Sequence, residues 1–183
     1  MLKCLNVKML NRGFTLVELM VSITIFSLIV GATAGIFISS SRTQRQALIS
    51  REALDNLSYT LEYMSRSLRM ANKDLDGGCL GVGYNYLSTH NGHGIKFLNY
   101  NNECQEFFLD TSDKRLKESK NGAAPLPLTS EGLTIKSCNF SLSGERQDDN
   151  LQPRVTIALG IEIEGFKTNI QTTVSQRNLD VQY

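Results

Sequence analysis

The chain of 183 residues carries 19 lysines and arginines against 18 aspartates and glutamates, for a formal net charge of +1 at pH 7. This balance excludes the strongly basic surface that general nucleic-acid binding requires. The length suffices for one globular domain with an additional segment. The charge is unevenly distributed, because the part of the chain up to Arg51 holds six basic residues and a single acid, Glu18.

An apolar stretch over residues 14–38 contains one ionisable side chain, that of Glu18. A helix crosses a lipid bilayer with about 20 apolar residues, so this stretch predicts a transmembrane helix over 14–38. Three basic residues and no acid precede it, which favours a cytoplasmic N-terminus and an exported remainder. Arg42 and Arg45, on the far side, weaken this preference for one orientation.

The helical signal continues past the apolar stretch, without glycine or proline, as far as Lys73. The apolar residues that follow have the spacing of one helix face; they are Ala47, Leu54, Leu57, Leu61, Met64 and Leu68. We therefore expect one helix over about 14–71, with an amphipathic half over 39–73. The alternative, two separate helices, lacks a breaker, since membrane helices tolerate glycines such as Gly31 and Gly35.

From residue 74 the sequence changes to short segments rich in β-branched and aromatic residues, separated by turn-rich pieces. The segments that predict strands are 94–100, 104–110, 115–120, 133–144, 154–165 and 169–179. Apolar residues alternate with others from Val155 to Ile163, which is typical of an antiparallel strand with one buried face. The helix stripe is the expected cover for that face. The predicted fold class is therefore α+β, a long N-terminal helix packed on the antiparallel β-sheet of a head over 74–183.

Four cysteines lie at positions 4, 79, 104 and 138. Cys4 belongs to the basic lead-in, whereas the other three belong to the part expected in an oxidising compartment, where one disulfide is plausible. The spacing does not choose among the three pairings. We favour Cys79–Cys104, which would tie the helix exit to the second strand and leave Cys138 buried and free. Three buried thiols are the alternative.

His90 and His93 lie in the glycine-containing turn HNGH and the chain has no CxxC pair, so no metal site is predicted. The acidic segments DLDGG (74–78) and QDDN (147–150) offer carboxylates suited to calcium, but they are more typical of ordinary polar turns. The sequence contains no phosphate-binding loop, GxSxG or HExxH motif. Neither an enzyme nor a cofactor is therefore predicted.

The segment RGFTLVELM (12–20) resembles the class III signal of type IV pilins and pseudopilins. A short basic leader ends in Gly13, Phe14 follows, and Glu18 is the fifth residue after the glycine. The resemblance implies that a prepilin peptidase removes the leader, residues 1–13, by cleaving between Gly13 and Phe14, and then methylates the new amino group of Phe14. The ending QTTVSQRNL (171–179) resembles PilW-type minor pilins and the J-type pseudopilins of type II secretion.

The position of Glu18 has a physical reason that fits this resemblance. A carboxylate in the first helical turn is favoured by the helix dipole, and cleavage would create a cation one turn earlier, at Phe14. A pair within one chain is the simplest arrangement. The resemblance implies a pair between Glu18 and the Phe14 amine of a neighbouring chain, which would set the register of assembly. Gly31 and Gly35 form a small-residue face suited to close helix packing, although glycine is also common in membrane helices.

The predicted function is that of a minor pilin or pseudopilin, a structural subunit of a type IV pilus-like fibre or of a type II secretion pseudopilus. The implied partners are the prepilin peptidase, other pilin or pseudopilin subunits through the N-terminal helix, and the inner-membrane assembly platform. The expected location is the bacterial inner membrane, crossed once, with the head exported. One alternative is an anchored, exported binding domain that is not assembled into a fibre, and another is a membrane-tethered exported enzyme.

Overall fold

The computed structural model describes residues 13–177, and its first element is one unbroken helix, α1, over Leu16–Arg69. This confirms the helix expected over 14–71, with slightly shorter ends. Leader residues 1–12, including Cys4, and residues 178–179 of the last expected strand lie outside the described residues.

The chain divides into two compact units, one ending at Arg45 and the other beginning at Gln46. The described part of the first unit is helical from Leu16 onward, and all its residues are exposed. By length and composition, α1 contains a stretch apolar enough to cross a membrane, and none of that stretch is buried. Its large apolar side chains, such as those of Phe26 and Phe37, are therefore available to lipid or to other chains.

Over residues 46–177, the second unit combines the last part of α1 with eight strands in two antiparallel sheets. The five-stranded sheet has the order β1-β2-β3-β4-β5, and the three-stranded sheet has the order β6-β7-β8. A short 3₁₀ turn, His90–Gly92, separates the first two strands. The strand bounds are β1 Tyr86–Thr89, β2 Gly94–Leu98, β3 Cys104–Asp110, β4 Arg115–Lys120, β5 Leu126–Pro127, β6 Thr134–Ser143, β7 Arg154–Ile163 and β8 Phe166–Ser175.

Two sheets replace the single sheet that the sequence predicted, and the reason lies in β5. This strand has only two residues, and the second, Pro127, has no backbone N–H with which to extend the ladder. The first sheet therefore ends at β5, and the long strand β6 pairs with β7 instead. Neither β5 nor the four-residue strand β1 was predicted, because both are too short to show a period.

One hydrophobic core joins α1 to both sheets within the second unit. The helix buries Ala53, Leu57, Thr60, Met64 and Leu68. The predicted stripe was wrong at two positions, since Ala47 is exposed and Leu54 is 40% exposed. In β7 the predicted alternation is confirmed, because the five apolar residues of its inner face are at most 6% exposed; they are Val155, Ile157, Leu159, Ile161 and Ile163.

Polar contacts also tie the helix to the sheets. The hydroxyl of Thr60 donates to the carbonyls of Asn56 at 3.0 Å and Leu128 at 3.2 Å, which is why a threonine is tolerated in this core. The Tyr63 hydroxyl donates to the carboxylate of Glu118 in β4 at 2.6 Å. Burial, together with this carboxylate, raises the pKa of Tyr63 above its ordinary value. The phenol therefore stays protonated and able to donate at neutral pH.

The hairpin between β7 and β8 shows that β8 begins earlier than the sequence predicted. The sequence assigned residues 166–168 to a turn, but the turn consists of Glu164 and Gly165 alone, with φ of 42° and 84°. Positive φ at both central residues is the geometry of a two-residue type I′ turn, which glycine adopts without strain. β8 therefore begins at Phe166, directly opposite Ile163.

Candidate functional site: the start of the helix

The segment that precedes the apolar helix has the sequence of a capping box, and the structure shows one of the two hydrogen bonds of that motif, from the N–H of Glu18 to Thr15. The carbonyl of Thr15 accepts the N–H of Leu19 at 3.1 Å, and its hydroxyl oxygen accepts the N–H of Glu18 at 3.3 Å. The Thr15 hydroxyl in turn lies 3.5 Å from a carboxylate oxygen of Glu18, to which it donates. A threonine at the cap with a glutamate three residues later satisfies donors that the first helical turn otherwise leaves open.

Glu18 therefore has a role within its own chain that the sequence reasoning missed. The signal was visible, since threonine, two residues and glutamate directly before an apolar run is the usual signature of this motif. The carboxylate is exposed and lies in the first turn of α1, where the helix dipole favours a negative charge. Phe14, one residue before the cap, has a side chain that is 76% exposed.

The hydroxyl groups of the apolar stretch are satisfied inside the helix. Ser22 donates to the carbonyl of Glu18 at 2.7 Å, and Ser27 donates to that of Ile23 at 2.8 Å. Thr24 and Thr33 also donate to carbonyls of the preceding turn. Such bonds remove the cost of placing a hydroxyl in hydrocarbon. Glu18 is the only residue of 14–38 with a charged side chain, and the hydrogen bonds within the helix do not neutralise that charge.

Three glycines that the sequence singled out have open space around them. Among the described residues, a methyl group added at Gly13, Gly31 or Gly35 would meet nothing within 4 Å, and none of the three has a positive φ. The fold of the chain itself therefore does not require glycine at these positions. Gly31 and Gly35 line one shallow trough on the helix surface, together with small residues such as Ala32 and Ser39.

The cysteines of the head are placed as the sequence favoured. Cys79 and Cys104 form a disulfide, with Cα atoms 5.4 Å apart, between the segment after α1 and the start of β3. Cys138 is free, lies in β6 and is 1% exposed. Burial raises the pKa of its thiol to about 12. A thiol that remains protonated and covered is a poor nucleophile.

Asp74 organises the loop that follows the helix. Its buried carboxylate accepts the backbone N–H groups of Gly77 at 2.9 Å, Cys79 at 2.8 Å and Leu80 at 2.7 Å. Burial acts to raise the pKa of Asp74, but these hydrogen bonds outweigh it, so that the pKa lies below its ordinary value. In the other acidic turn, Asp148 pairs with Arg146. Both acidic segments are thus engaged in turn geometry.

The two histidines of the HNGH turn have different partners. His90 stacks on Phe108 with ring centroids 4.5 Å apart, and its Nδ1 lies 3.3 Å from a carboxylate oxygen of Glu106. The ring of His93 instead contacts the carbonyl of Cys138. Between Gly13 and Arg177, no group of three or more histidine, cysteine or acidic side chains is arranged to hold a metal ion.

The comparisons with known proteins bear on this N-terminal segment. A family model described as the prokaryotic N-terminal methylation motif matches residues 8–34, on both sides of the Gly13–Phe14 bond. No curated protein and no solved structure matches the chain. The motif supports a class III signal of the type IV pilin kind, with processing by a prepilin peptidase and assembly with other pilins. It points to a structural protein rather than an enzyme, and with the apolar helix it fits a membrane-anchored, single-pass protein.

Proposed function

We propose that this chain is a minor pilin or pseudopilin, a structural subunit of a type IV pilus-like fibre or of a type II secretion pseudopilus. The methylation-motif match over residues 8–34 carries the proposal, because it coincides with a capped helix start and an exposed apolar helix. In this proposal residues 1–13 are the leader, 14–38 cross the inner membrane and 39–73 are amphipathic. Residues 74–183 are the exported head.

The surroundings of Gly13 support recognition by a peptidase. Since a Cβ atom at this position would meet nothing within 4 Å among residues 13–177, this part of the fold does not require glycine there. A protease that binds the residue before the scissile bond in a tight pocket would impose such a requirement from outside. Cleavage after Gly13 leaves Phe14 as a free amine next to the capping residue Thr15, and this amine is the proposed site of methylation.

Glu18 supports assembly through its charge. A carboxylate within a membrane helix costs up to about 2.5–3.5 kcal/mol on insertion scales, the value that applies at the helix centre. The Thr15 hydroxyl donates to one carboxylate oxygen of Glu18 but leaves the negative charge in place. In the proposed assembly the Phe14 amine of a neighbouring subunit neutralises that charge, and the open trough at Gly31 and Gly35 lets a neighbouring helix approach closely. The inner-membrane platform is the proposed site of this assembly.

The proposal is tested by the state of the N-terminus in membranes and in sheared fibres. Intact-mass analysis is expected to show a chain that begins at N-methylated Phe14. Gly13→Leu is expected to block cleavage, whereas Gly13→Ala is expected to retain much of it, because both changes are neutral for the fold but only the leucine is bulky. A fibre or complex built from the uncleaved chain would overturn the proposal. A cleaved chain that stays in the membrane would instead support an anchored domain that is not assembled.

A further inference from the structure

Two arginines follow the apolar part of α1, and the proposed function gives them no role. Arg42 and Arg45 lie three positions apart, so they are neighbours on the helix surface, and both are exposed. The sequence has no acidic residue between Glu18 and Glu52, so no acid lies within one helical turn of Arg42. The end of the apolar stretch is therefore a local concentration of positive charge.

The usual distribution of charge around membrane helices does not explain these arginines. Basic residues within about 15 residues of such a helix usually gather on its cytoplasmic side. Here the two sides carry equal numbers; they are Lys3, Lys8 and Arg12 before the apolar stretch, and Arg42, Arg45 and Arg51 after it. In the proposed topology the second group is exported, and removal of the leader would leave it alone. A binding partner at this end of the span would explain its presence.

The charges at the two ends of the uncharged segment are separated by a distance that suits a bilayer. Arg42 follows Glu18 by 24 positions, which is about 36 Å along α1. The hydrocarbon of a bilayer is about 30 Å thick, and the bilayer with its head groups is about 40–45 Å thick. Both charges can therefore lie in head-group regions at the same time, one on each side, with only uncharged residues between them.

The direction of helical side chains favours the same placement. Side chains lean toward the N-terminus of their helix, and the Glu18 carboxylate accordingly lies 3.5 Å from the hydroxyl of Thr15. At the other end, the same lean is expected to turn the Arg42 side chain back toward the membrane, so that its guanidinium reaches the phosphate layer. The hydroxyl of Thr43 donates to the carbonyl of Ser39 at 3.1 Å and needs no lipid partner.

We propose that Arg42, with Arg45 beside it, binds the phosphate groups of anionic lipids on the exported side of the membrane and thereby sets the depth of the helix before assembly. A guanidinium group matches the oxygen atoms of a phosphate in a bidentate way. Phe37 and Ile38 end the apolar stretch and are exposed, so the lipid surface lies close to the level of the arginines. This inference rests on the proposed function, from which it takes the span and its orientation.

This depth has a consequence for the opposite end of the span. It places Glu18 in the cytoplasmic head-group region, close to the Gly13–Phe14 bond, which then lies within reach of the water that its hydrolysis requires. The carboxylate loses its contact with water only when the subunit is assembled. The need for the Phe14 amine of a neighbour therefore arises at assembly rather than at insertion.

Thiol labelling of the full chain in lipid vesicles tests the contact. Cys4→Ser with Ser39→Cys leaves one reactive thiol, since the cysteines of the head are paired or buried. Position 39 lies one turn before Arg42 on the same side of the helix. An uncharged maleimide linked to polyethylene glycol is expected to react at least about threefold more slowly in vesicles of phosphatidylcholine with phosphatidylglycerol than in phosphatidylcholine alone. Equal rates would overturn the inference.

Matched substitutions identify the group that responds to the lipid. Arg42→Gln is expected to remove the difference between the two lipid mixtures, because it removes the cation beside the reporter. Arg42→Lys keeps the charge and is expected to keep most of the difference. The control Arg51→Gln also removes one cation from α1, but at a residue with an acid, Asp55, four positions later, and is expected to keep the difference. A difference that survives Arg42→Gln, or is lost in Arg51→Gln, would overturn the inference.

Two other partners of the arginines give different results. If inorganic phosphate slows labelling in phosphatidylcholine vesicles as strongly as phosphatidylglycerol does, the segment binds a free anion and the inference is overturned. If Arg42→Gln keeps the lipid difference but is not incorporated into the fibre or pseudopilus, Arg42 binds another subunit and the inference is also overturned. If extraction with alkaline carbonate shows that Arg42→Gln is not inserted, the unsubstituted arginines and Arg42→Lys decide the outcome in the two lipid mixtures.

The labelling requires neither cleavage nor assembly, so it separates this inference from the proposed function. A chain that is inserted and responds to the anionic lipid, but is never cleaved, refutes the proposed function and supports the lipid contact. A chain that is cleaved and incorporated, but is labelled equally in both lipid mixtures, refutes the lipid contact alone.

Discussion

Glu18→Gln separates the contact that the structure shows at the helix cap from the proposed role of the Glu18 charge in pairing with a neighbouring subunit. Glutamine keeps the length and the hydrogen-bonding oxygen of glutamate and is itself suited to a capping box. The contacts with Thr15 are therefore expected to survive. The negative charge is lost, and with it the proposed pair with the Phe14 amine of a neighbour. Thr15→Ala makes the opposite change, since it removes the cap and leaves the charge.

The two losses differ in size. Loss of an N-cap costs about 0.5–2 kcal/mol of helix stability. A helix of 54 residues is expected to remain folded after a loss of this size. Loss of one partner from a buried ion pair costs about 3–5 kcal/mol, because the other charge stays buried without compensation. At about 1.4 kcal/mol per tenfold, the second loss lowers the affinity between subunits by roughly 100-fold or more.

The assay expresses each variant as the only copy of the chain and compares the membrane fraction with sheared fibres or the isolated pseudopilus. Glu18→Gln is expected to be cleaved and inserted normally, yet to be incorporated at a small fraction of the wild-type level. Thr15→Ala is expected to be incorporated within about tenfold of wild type. Normal incorporation of Glu18→Gln would refute the role of the charge, and equal defects in both variants would show that capping alone matters. Glu18→Ala removes both contributions and is expected to fail in incorporation as well.

Three further predictions concern the head. Leu57→Ala is expected to lower the free energy of unfolding by about 2–5 kcal/mol. The control Leu54→Ala, at a residue that is 40% exposed, is expected to lower it by less than about 1 kcal/mol. Urea unfolding followed by tyrosine fluorescence measures both free energies, and equal losses would contradict the burial of Leu57 in the helix stripe. The pKa of Asp74 in the folded chain lies below the ordinary value of 3.8, so its carboxylate stabilises the fold above that pH, and this stabilisation is lost as the pH falls through the folded pKa. The difference in stability between wild type and Asp74→Asn is therefore expected to shrink below about pH 4. A difference that does not depend on pH would refute this role of Asp74. Cys138 is expected to resist iodoacetamide at pH 8 until the head unfolds, as peptide mass analysis would show, and rapid labelling of the folded chain would contradict its burial.

The helix was predictable because its signals are local. An apolar run, a helical period and the absence of breakers before Lys73 all lie in consecutive residues. The identity of the buried face was less predictable, since Leu54 and Ala53 are neighbours and the sequence favoured the larger apolar side chain. The structure buries Ala53 and Thr60 instead. Thr60 is acceptable there because its hydroxyl reaches the carbonyl of Leu128, a contact between residues far apart in the chain.

The sheet boundaries depended on contacts that a single strand does not reveal. The strands β3 and β4 begin and end where the residue types and the flanking turns predicted, at 104–110 and 115–120. The start of β8 was missed because the sequence from Glu164 to Asn169 is polar enough to be a longer turn, whereas Gly165 allows a turn of two residues. At the helix start, Glu18 was interpreted through the helix dipole and through a pair with the Phe14 amine, within the chain or with a neighbour, and the cap formed by Thr15 was missed.

Capping of the helix does not by itself explain why the residue at position 18 is charged. A chain that needed only an anchor would be served as well by glutamine, which caps the helix and avoids the cost of a charge in hydrocarbon. The hydroxyls of Ser22 and Ser27 show that the same helix satisfies its other polar side chains internally. In the proposed assembly, the charge of Glu18 is matched by a partner outside the chain, and the cation that cleavage would create at Phe14 of a neighbouring subunit is that partner.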